Sequence, residues 1–288
     1  MNDVTYSFKF GDFQCFVIND AFRAWTSDAL IGGEKTQEQL AQVALDFELD
    51  LDKIPVPDSS LLVSTGDQNV LIDVGSCKRP YPGDNEGKLL QNLESLGFDP
   101  KEIDVIIITH SDYDHIGGIL DKEGQLEFPN AHYYLSADSW GYWSSSEGRA
   151  KIAALTGWPA DRIDFVWGTY STIQDRLTIV DYEDEFLPGF RMYPAVGHRY
   201  DHDVLKIESA GEKMIHIADS LLSPLFMAIR EWYFFWDLDP EKAIETKERL
   251  LEWCSSEEAL VFASHFPFPC LGTIDRRDDS WQWHPVKI

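Results

Sequence analysis

Basic residues are scarce in this chain: 24 Lys and Arg stand against 50 Asp and Glu in 288 residues, a formal net charge of −26 at pH 7. Affinity for DNA or RNA comes from neutralising phosphates with Lys and Arg, so this balance speaks against a nucleic-acid partner. It leaves neutral or cationic small molecules, or one anionic group held by a local arginine. Cysteine is equally sparse, with four at positions 15, 77, 254 and 270 and no paired metal or redox spacing, so reduced thiols and a cytoplasmic location are expected. No apolar run is long enough to cross a bilayer, which argues against a membrane role. The start, Met1-Asn2-Asp3-Val4-Thr5-Tyr6, lacks the basic and apolar parts of a secretory signal. Neither Ser-x-x-Lys nor Gly-x-Ser-x-Gly occurs, so a covalent serine mechanism has no support.

The chain does carry a mixed α/β pattern, without internal repeats or low-complexity linkers, and its length suits a single domain over residues 1–288. Tyr6 to Asn19 reads as two strands around Gly11-Asp12, and Leu61–Ser64 with Val70–Asp73 as a hairpin about Gly66-Asp67. Thr36 and Gln39 form a capping-box pattern that opens a helix, and Lys88 to Leu96 is an amphipathic helix ended by Gly97. Asp99-Pro100 makes a capped turn, and Asp239-Pro240 starts a long helix to about Cys254. Ala137–Trp143 and Arg149–Leu155 read as helices; Ile163–Trp167 and Leu177–Val180 read as strands.

Chemistry concentrates where the apolar run Val105-Ile106-Ile107-Ile108 stops and Thr109-His110-Ser111-Asp112-Tyr113-Asp114-His115-Ile116-Gly117-Gly118 begins. Four ligand-type side chains within six residues, in a chain with only 8 His, can converge on a small volume, and imidazole and carboxylate are what zinc, iron and manganese accept. The arrangement recurs. A strand-like Phe190–Pro194 leads to Gly197-His198; Lys213–Ala218 ends at Asp219; Leu260–Ala263 ends at Ser264-His265.

These ordered segments, with Leu71-Ile72-Asp73-Val74-Gly75 ahead of them, resemble the sequence blocks of the metallo-β-lactamase-fold hydrolases. The C-terminal His265-Phe266-Pro267-Phe268-Pro269-Cys270-Leu271-Gly272 and Trp283-His284-Pro285-Val286 look like the methyl parathion hydrolase and lactonase-like branch. The resemblance implies an αββα sandwich of two mixed sheets flanked by helices. It implies two divalent ions, zinc first among the candidates. His110, Asp112 and His198 would hold one; Asp114, His115 and His265 the other; Asp219 would bridge, with Asp73 orienting an imidazole behind them. A metal-bridging hydroxide would attack a small ester, lactone or phosphoester, with Asp114 handling the leaving group's proton.

One position departs from the family pattern: Asp112 stands where the family usually has His. Two dications against Asp112, Asp114, Asp219 and a bridging hydroxide give a neutral site, where the usual ligand set leaves it one unit positive. Such a site is expected to acidify its water less, and to admit manganese or iron more readily than an imidazole-rich one. Two other readings stay open: an iron-dependent oxidoreductase on the same fold, and a non-catalytic metal-binding protein. Substrate contacts are expected from Arg199 and Tyr200 beside His198, and from Phe226 and Trp232 in the aromatic stretches that follow Asp219. Trp140-Gly141-Tyr142-Trp143 is a second candidate wall. His202 is taken as structural, as are His132, His216 and His284. The aromatic stretches would also suit a homodimer contact.

Overall fold

Alternating side chains in near-continuous apolar strands give the described residues two large sheets that are covered on both faces. In the computed structural model, which describes residues 4–47, 49–76, 87–278 and 280–287, the first seven-stranded sheet follows chain order. Its strands are β1 (Thr5–Phe10), β2 (Phe13–Trp25), β3 (Ile54–Ser64), β4 (Asn69–Ile72), β5 (Val105–Ile107), β6 (His132–Ser136) and β7 (Leu177–Val180). The second holds β8 (Glu185–Leu187), β9 (Phe190–Pro194), β10 (Asp203–Ser209), β11 (Glu212–His216), β12 (Leu260–Phe262), β13 (Leu271–Arg277) and β14 (Ser280–Pro285), again as neighbours in sequence. Pairing is antiparallel from β1 to β4 and parallel from β4 to β7; in the second sheet only β11 and β12 run parallel.

Period-two alternation sorts each strand between two cores. Val105 and Ile107 face the second sheet with Phe190, Met192 and Leu205, whereas Ile106 and Ile108 face the helical layer. Met214 points between the sheets; Ile215 and Ile217 point out against Leu251 and Cys254 of helix Pro240–Ser256. The result is a helix–sheet–sheet–helix sandwich. Cys15, Cys254 and Cys270 are buried free thiols whose pKa burial pushes up to about 12, which leaves them unreactive; Cys77 lies outside the described residues. No helix among the described residues is long and apolar enough to cross a membrane.

The caps sit where the sequence puts them, at Thr36 with Gln39, at Asp99 with Glu102, and at Asp239 before Pro240. One element differs in kind. Ile163–Trp167, expected as a strand, lies inside helix Ala160–Ile173. Four β-favouring residues around Asp164 read as a strand in a short window, but Val166, Thr169, Tyr170 and Ile173 recur at helical spacing and form the buried face. A bulge in β2 has a structural task. The register slips between Asn19 and Ala21, and Asp20 turns inward to accept from Leu89 N at the start of helix Leu89–Ser95 and from Ser76 N and Oγ. The segment 74–76 is thereby fixed against Gly117 and Gly118, where an added Cβ would lie 2.4 Å from Ser76 O and 2.1 Å from Val74 O.

Candidate metal centre

The loops that follow β4, β5, β9, β11 and β12 meet at one end of the sandwich and bring Asp73, the 110–115 segment, His198, Asp219 and His265 together. Asp112 precedes the short helix Tyr113–Ile116, which turns Asp114 and His115 back toward His110. Asp73 and Ala218 hold left-handed backbone, with φ of 56° and 43°. Such strain at a non-glycine residue persists only where its surroundings fix it.

The hydrogen bonds decide which nitrogen of each imidazole is bare. His115 Nδ1 lies 2.7 Å from Asp73 Oδ2, His198 Nδ1 2.8 Å from Asp237 Oδ1, and His265 Nδ1 2.8 Å from Pro57 O. All three partners are acceptors, so all three Nδ1 atoms donate. Thr109 Oγ1 donates to Asp73 Oδ2 at 2.8 Å and therefore accepts from His110 Nδ1 at 3.0 Å. Every neutral imidazole in this set then presents a bare Nε2. Those four Nε2 atoms and Asp219 Oδ1 are buried without a hydrogen-bond partner. Buried polar atoms are normally satisfied, so an inward-facing cluster of them fits an ion that is bound in their midst.

Two groups of three could each hold such an ion: His110, Asp112 and His198; and Asp114, His115 and His265. Asp219 serves both. Its Oδ2 lies 3.8 Å from His110 Nε2 and 3.4 Å from His198 Nε2, while its Oδ1 lies 3.1 Å from His115 Nε2 and 3.1 Å from His265 Nε2. Asp112 Oδ2 stands 3.5 Å and 4.0 Å from His198 Nε2 and His110 Nε2, and Asp114 Oδ1 4.0 Å from His115 Nε2. Ligand atoms at about 2.0–2.1 Å around a tetrahedral zinc sit about 3.3–3.4 Å apart, so these spacings suit metal binding with small adjustments.

Electrostatics agree with that use. Burial opposes charge on Asp219, but His265, His115 and His110 outweigh it and hold the carboxyl well below the usual range. Burial likewise opposes charge on His115 and His265. Asp219 overcomes it, helped by Asp73 for the first and Asp58 for the second, and raises both well above the ordinary histidine value. Without an ion, protons take its place. Metal uptake at neutral pH should therefore release protons, with affinity rising as pH rises. The metal-free fold has the opposite slope. A raised histidine pKa adds stability that is complete below the unfolded value near 6.5 and is lost as pH climbs through the folded value. Titration calorimetry in buffers of differing ionisation enthalpy measures the release; heats that do not depend on buffer would contradict it.

Residues that sequence reasoning missed lie around this core. Asp58, pushed up to about 6 by burial against the pull of His265 and Arg23, contacts His265 Nδ1 at 3.2 Å and Arg23 Nη2 at 2.8 Å. Asp237 orients His198. Lys247 donates to the carbonyls of Arg230 and Trp232 at 2.7 and 2.6 Å and so fixes the segment leading to Asp237. His202 has both nitrogens engaged: Nδ1 donates to Ala195 O at 2.9 Å and Nε2 accepts from Asp219 N at 3.0 Å. It holds the Asp219 backbone and has no lone pair left for a metal.

A cavity of about 460 Å³ opens over the centre, walled by Trp25, Val56, Trp158, Leu222, Phe234 and Trp236, with Arg23, Arg162 and Arg199 among its polar groups. Three of the four expected substrate contacts are not there. Phe226 and Trp232 turn into the core beneath helix Pro240–Ser256, with Trp232 Nε1 donating to Glu34 O. Tyr200 packs against the helical side of the first sheet, as do Trp140, Tyr142 and Trp143. Arg199 does line the cavity, but its Nε and Nη2 bond Asp112 and its Nη1 bonds the carbonyls of His198 and Trp236.

Known proteins share this fold. AbOPH, a hydrolase in the beta lactamase superfamily, has a crystal structure 26% identical to this chain, covering 99% of it and 98% of that chain with a TM-score of 0.85. AidC, a dizinc quorum-quenching lactonase solved with its product N-hexanoyl-L-homoserine, is 25% identical with the same coverage and a TM-score of 0.86. A probable metallo-hydrolase of Mycobacterium bovis is 34% identical over an alignment 92 positions long that covers 27% of this chain and 28% of that protein's length. Residues 54–265 match the metallo-beta-lactamase superfamily as a whole. With the fold, the ligand-type cluster and this match in agreement, the chain belongs to the metallo-beta-lactamase superfamily and is one of its metal-dependent hydrolases.

Proposed function

We propose that this enzyme hydrolyses a small ester, lactone or phosphoester with two divalent ions. His110, Asp112 and His198 would hold one, Asp114, His115 and His265 would hold the other, and Asp219 would serve both. The observation that carries this reading is the set of four Nε2 atoms buried without hydrogen-bond partners around a carboxylate whose two oxygens face different groups. Two ions at such a centre supply Lewis acidity and an acidified water. The chain's own residues do the rest. Asp73, Asp237 and the Pro57 carbonyl fix the imidazoles, and Asp114, partly exposed on the cavity and 3.4 Å from Arg23 Nη1, takes up the proton bound for the leaving group.

The tryptophan-rich wall favours a substrate with an apolar chain beside its reacting carbonyl. An acyl-substituted lactone, of the kind whose product AidC binds, is the first candidate. We place the enzyme in a reducing compartment, the cytoplasm, where its buried thiols remain free.

The test is elemental mass spectrometry on protein purified without chelator or added metal, followed by a panel of esters, lactones and phosphotriesters. Two zinc or manganese ions per chain with turnover of an acyl lactone is the expected result. Iron alone with oxygen consumption would replace hydrolysis by redox chemistry. Metal without turnover on the whole panel would make the protein a binder.

A further inference from the structure

Asp112 is the one ligand-type group whose chemistry departs from the family pattern, and the fold surrounds it with a feature that the sequence-level charge count omitted. Its Oδ1 accepts from Arg199 Nε at 2.9 Å and from Arg162 Nη2 at 2.9 Å; its Oδ2 accepts from Arg199 Nη2 at 2.5 Å. A carboxylate oxygen has about two in-plane lone-pair directions. Oδ1 is therefore full. Oδ2 keeps one direction free, and this oxygen is the one that faces His198 Nε2 and His110 Nε2. The fork leaves Asp112 able to bind an ion through one atom, as an imidazole does.

Neither arginine is free to move off. Arg199 is 7% exposed and pinned by two carbonyls through Nη1. Arg162 lies 3.5 Å over the Trp158 ring and 4.9 Å from that of Tyr113. A carboxylate paired with one bidentate guanidinium is neutral in sum, and so is the histidine it stands in for. We propose that Asp112 and Arg199 work as one unit, a neutral, single-atom ligand that replaces histidine at the first metal position through Oδ2, with Arg162 holding Oδ1. Arg199 is then a positioning residue for the metal and does not bind substrate. The sequence-level expectation of an electroneutral, weakly acidifying site changes accordingly, because the guanidinium restores the unit of charge that Asp112 removes.

This inference rests on the two-ion reading above, and its test separates the two. Asp112→His restores the family's ligand but leaves two guanidiniums with no carboxylate beside a dication. We expect wild-type protein to hold two ions, Asp112→His one, and Asp112→His/Arg199→Gln two again. Chelator competition should show first-position affinity at least about 100-fold weaker in the single variant and recovered in the double. Arg199→Lys keeps the charge but loses the fork; it should change the absorption bands of the cobalt-substituted protein from the first position and leave the second position's affinity unaltered. Metal-free melting curves report whether each variant folds, and Arg199→Lys decides the matter if the histidine variants do not. Asp112→His with two ions at wild-type affinity would overturn the inference. So would a double variant that stays at one ion, or an Arg199→Lys protein with wild-type bands. A wild-type chain without metal would overturn the two-ion reading itself.

Discussion

Asp219→Asn should lose both metal positions and, with them, turnover by about 10³-fold or more, which is roughly 4 kcal/mol of transition-state stabilisation. Asp219 is the residue whose two carboxylate oxygens face different groups, at 3.4–3.8 Å on one side and 3.1 Å on the other. An asparagine offers one ligating oxygen and no charge. It can serve one group at most, and its amide N–H would point at a bare Nε2 or an ion on the other side. The fold should survive, because the Asp219 backbone is held by His202 Nε2 independently of the side chain. Loss of the carboxylate also removes what raises His115 and His265, so the variant should release fewer protons when challenged with metal. Elemental analysis and the rate on the best substrate check this together. A variant with two ions and near-normal rates would end the two-ion reading.

The ligand-type cluster was legible in the sequence because its information is local. An apolar β run, then His and Asp within six residues, then two glycines that let backbone approach Ser76 and Val74, is a pattern that one segment carries alone. The strand tips at His198, Asp219 and His265 repeat it. Partners contributed across the fold had no such signal. Asp58 meets His265 from more than 200 positions away, and Asp237 meets His198 from the far end of an aromatic stretch. In retrospect a lone carboxylate inside the apolar strand Ile54–Ser64 was the available hint for Asp58.

Two errors of expectation share a physical cause, which is that nearness in sequence stood in for nearness in space. Phe226 and Trp232 follow Asp219 closely, but the chain dives into the core there and returns to the cavity only at Phe234 and Trp236. Reading Ile163–Trp167 as a strand had a further consequence. A strand start would leave Arg162 as an ordinary loop residue. In helix Ala160–Ile173 the same arginine stands one turn from the N-terminus and reaches Asp112. The Asp112 charge count erred for that reason as well, since it summed the ligand groups alone and missed Arg162 and Arg199, which the fold brings to Asp112 from elsewhere in the chain.

Asp73→Asn should fold, yet bind metal roughly 10- to 100-fold more weakly and turn over correspondingly slower. The substitution keeps the shape, and asparagine accepts the left-handed backbone at this position, where φ is 56°. The defect is in the protons. Asp73 accepts from Thr109 N at 2.9 Å, Thr109 Oγ1 at 2.8 Å and His115 Nδ1 at 2.7 Å, so all three partners require an acceptor. An amide has only one. If its NH₂ replaces Oδ1 it faces a backbone N–H that cannot turn away, which costs about 1–3 kcal/mol for the unmet buried groups. If it replaces Oδ2, Thr109 must accept instead of donate and passes its own proton toward His110 Nδ1. His115 Nδ1 must likewise become an acceptor. Both imidazoles then carry their proton on Nε2, the atom that faces the metal. The second arrangement avoids the backbone clash, so the metal-free protein should adopt it and melt within a few degrees of wild type. Metal affinity by chelator competition is the deciding measurement, read beside the metal-free melting curve. Wild-type affinity in Asp73→Asn would show that Asp73 does not set the tautomers of His110 and His115. A variant that melts far below wild type without metal would assign Asp73 to holding the fold and not to preparing the ligands.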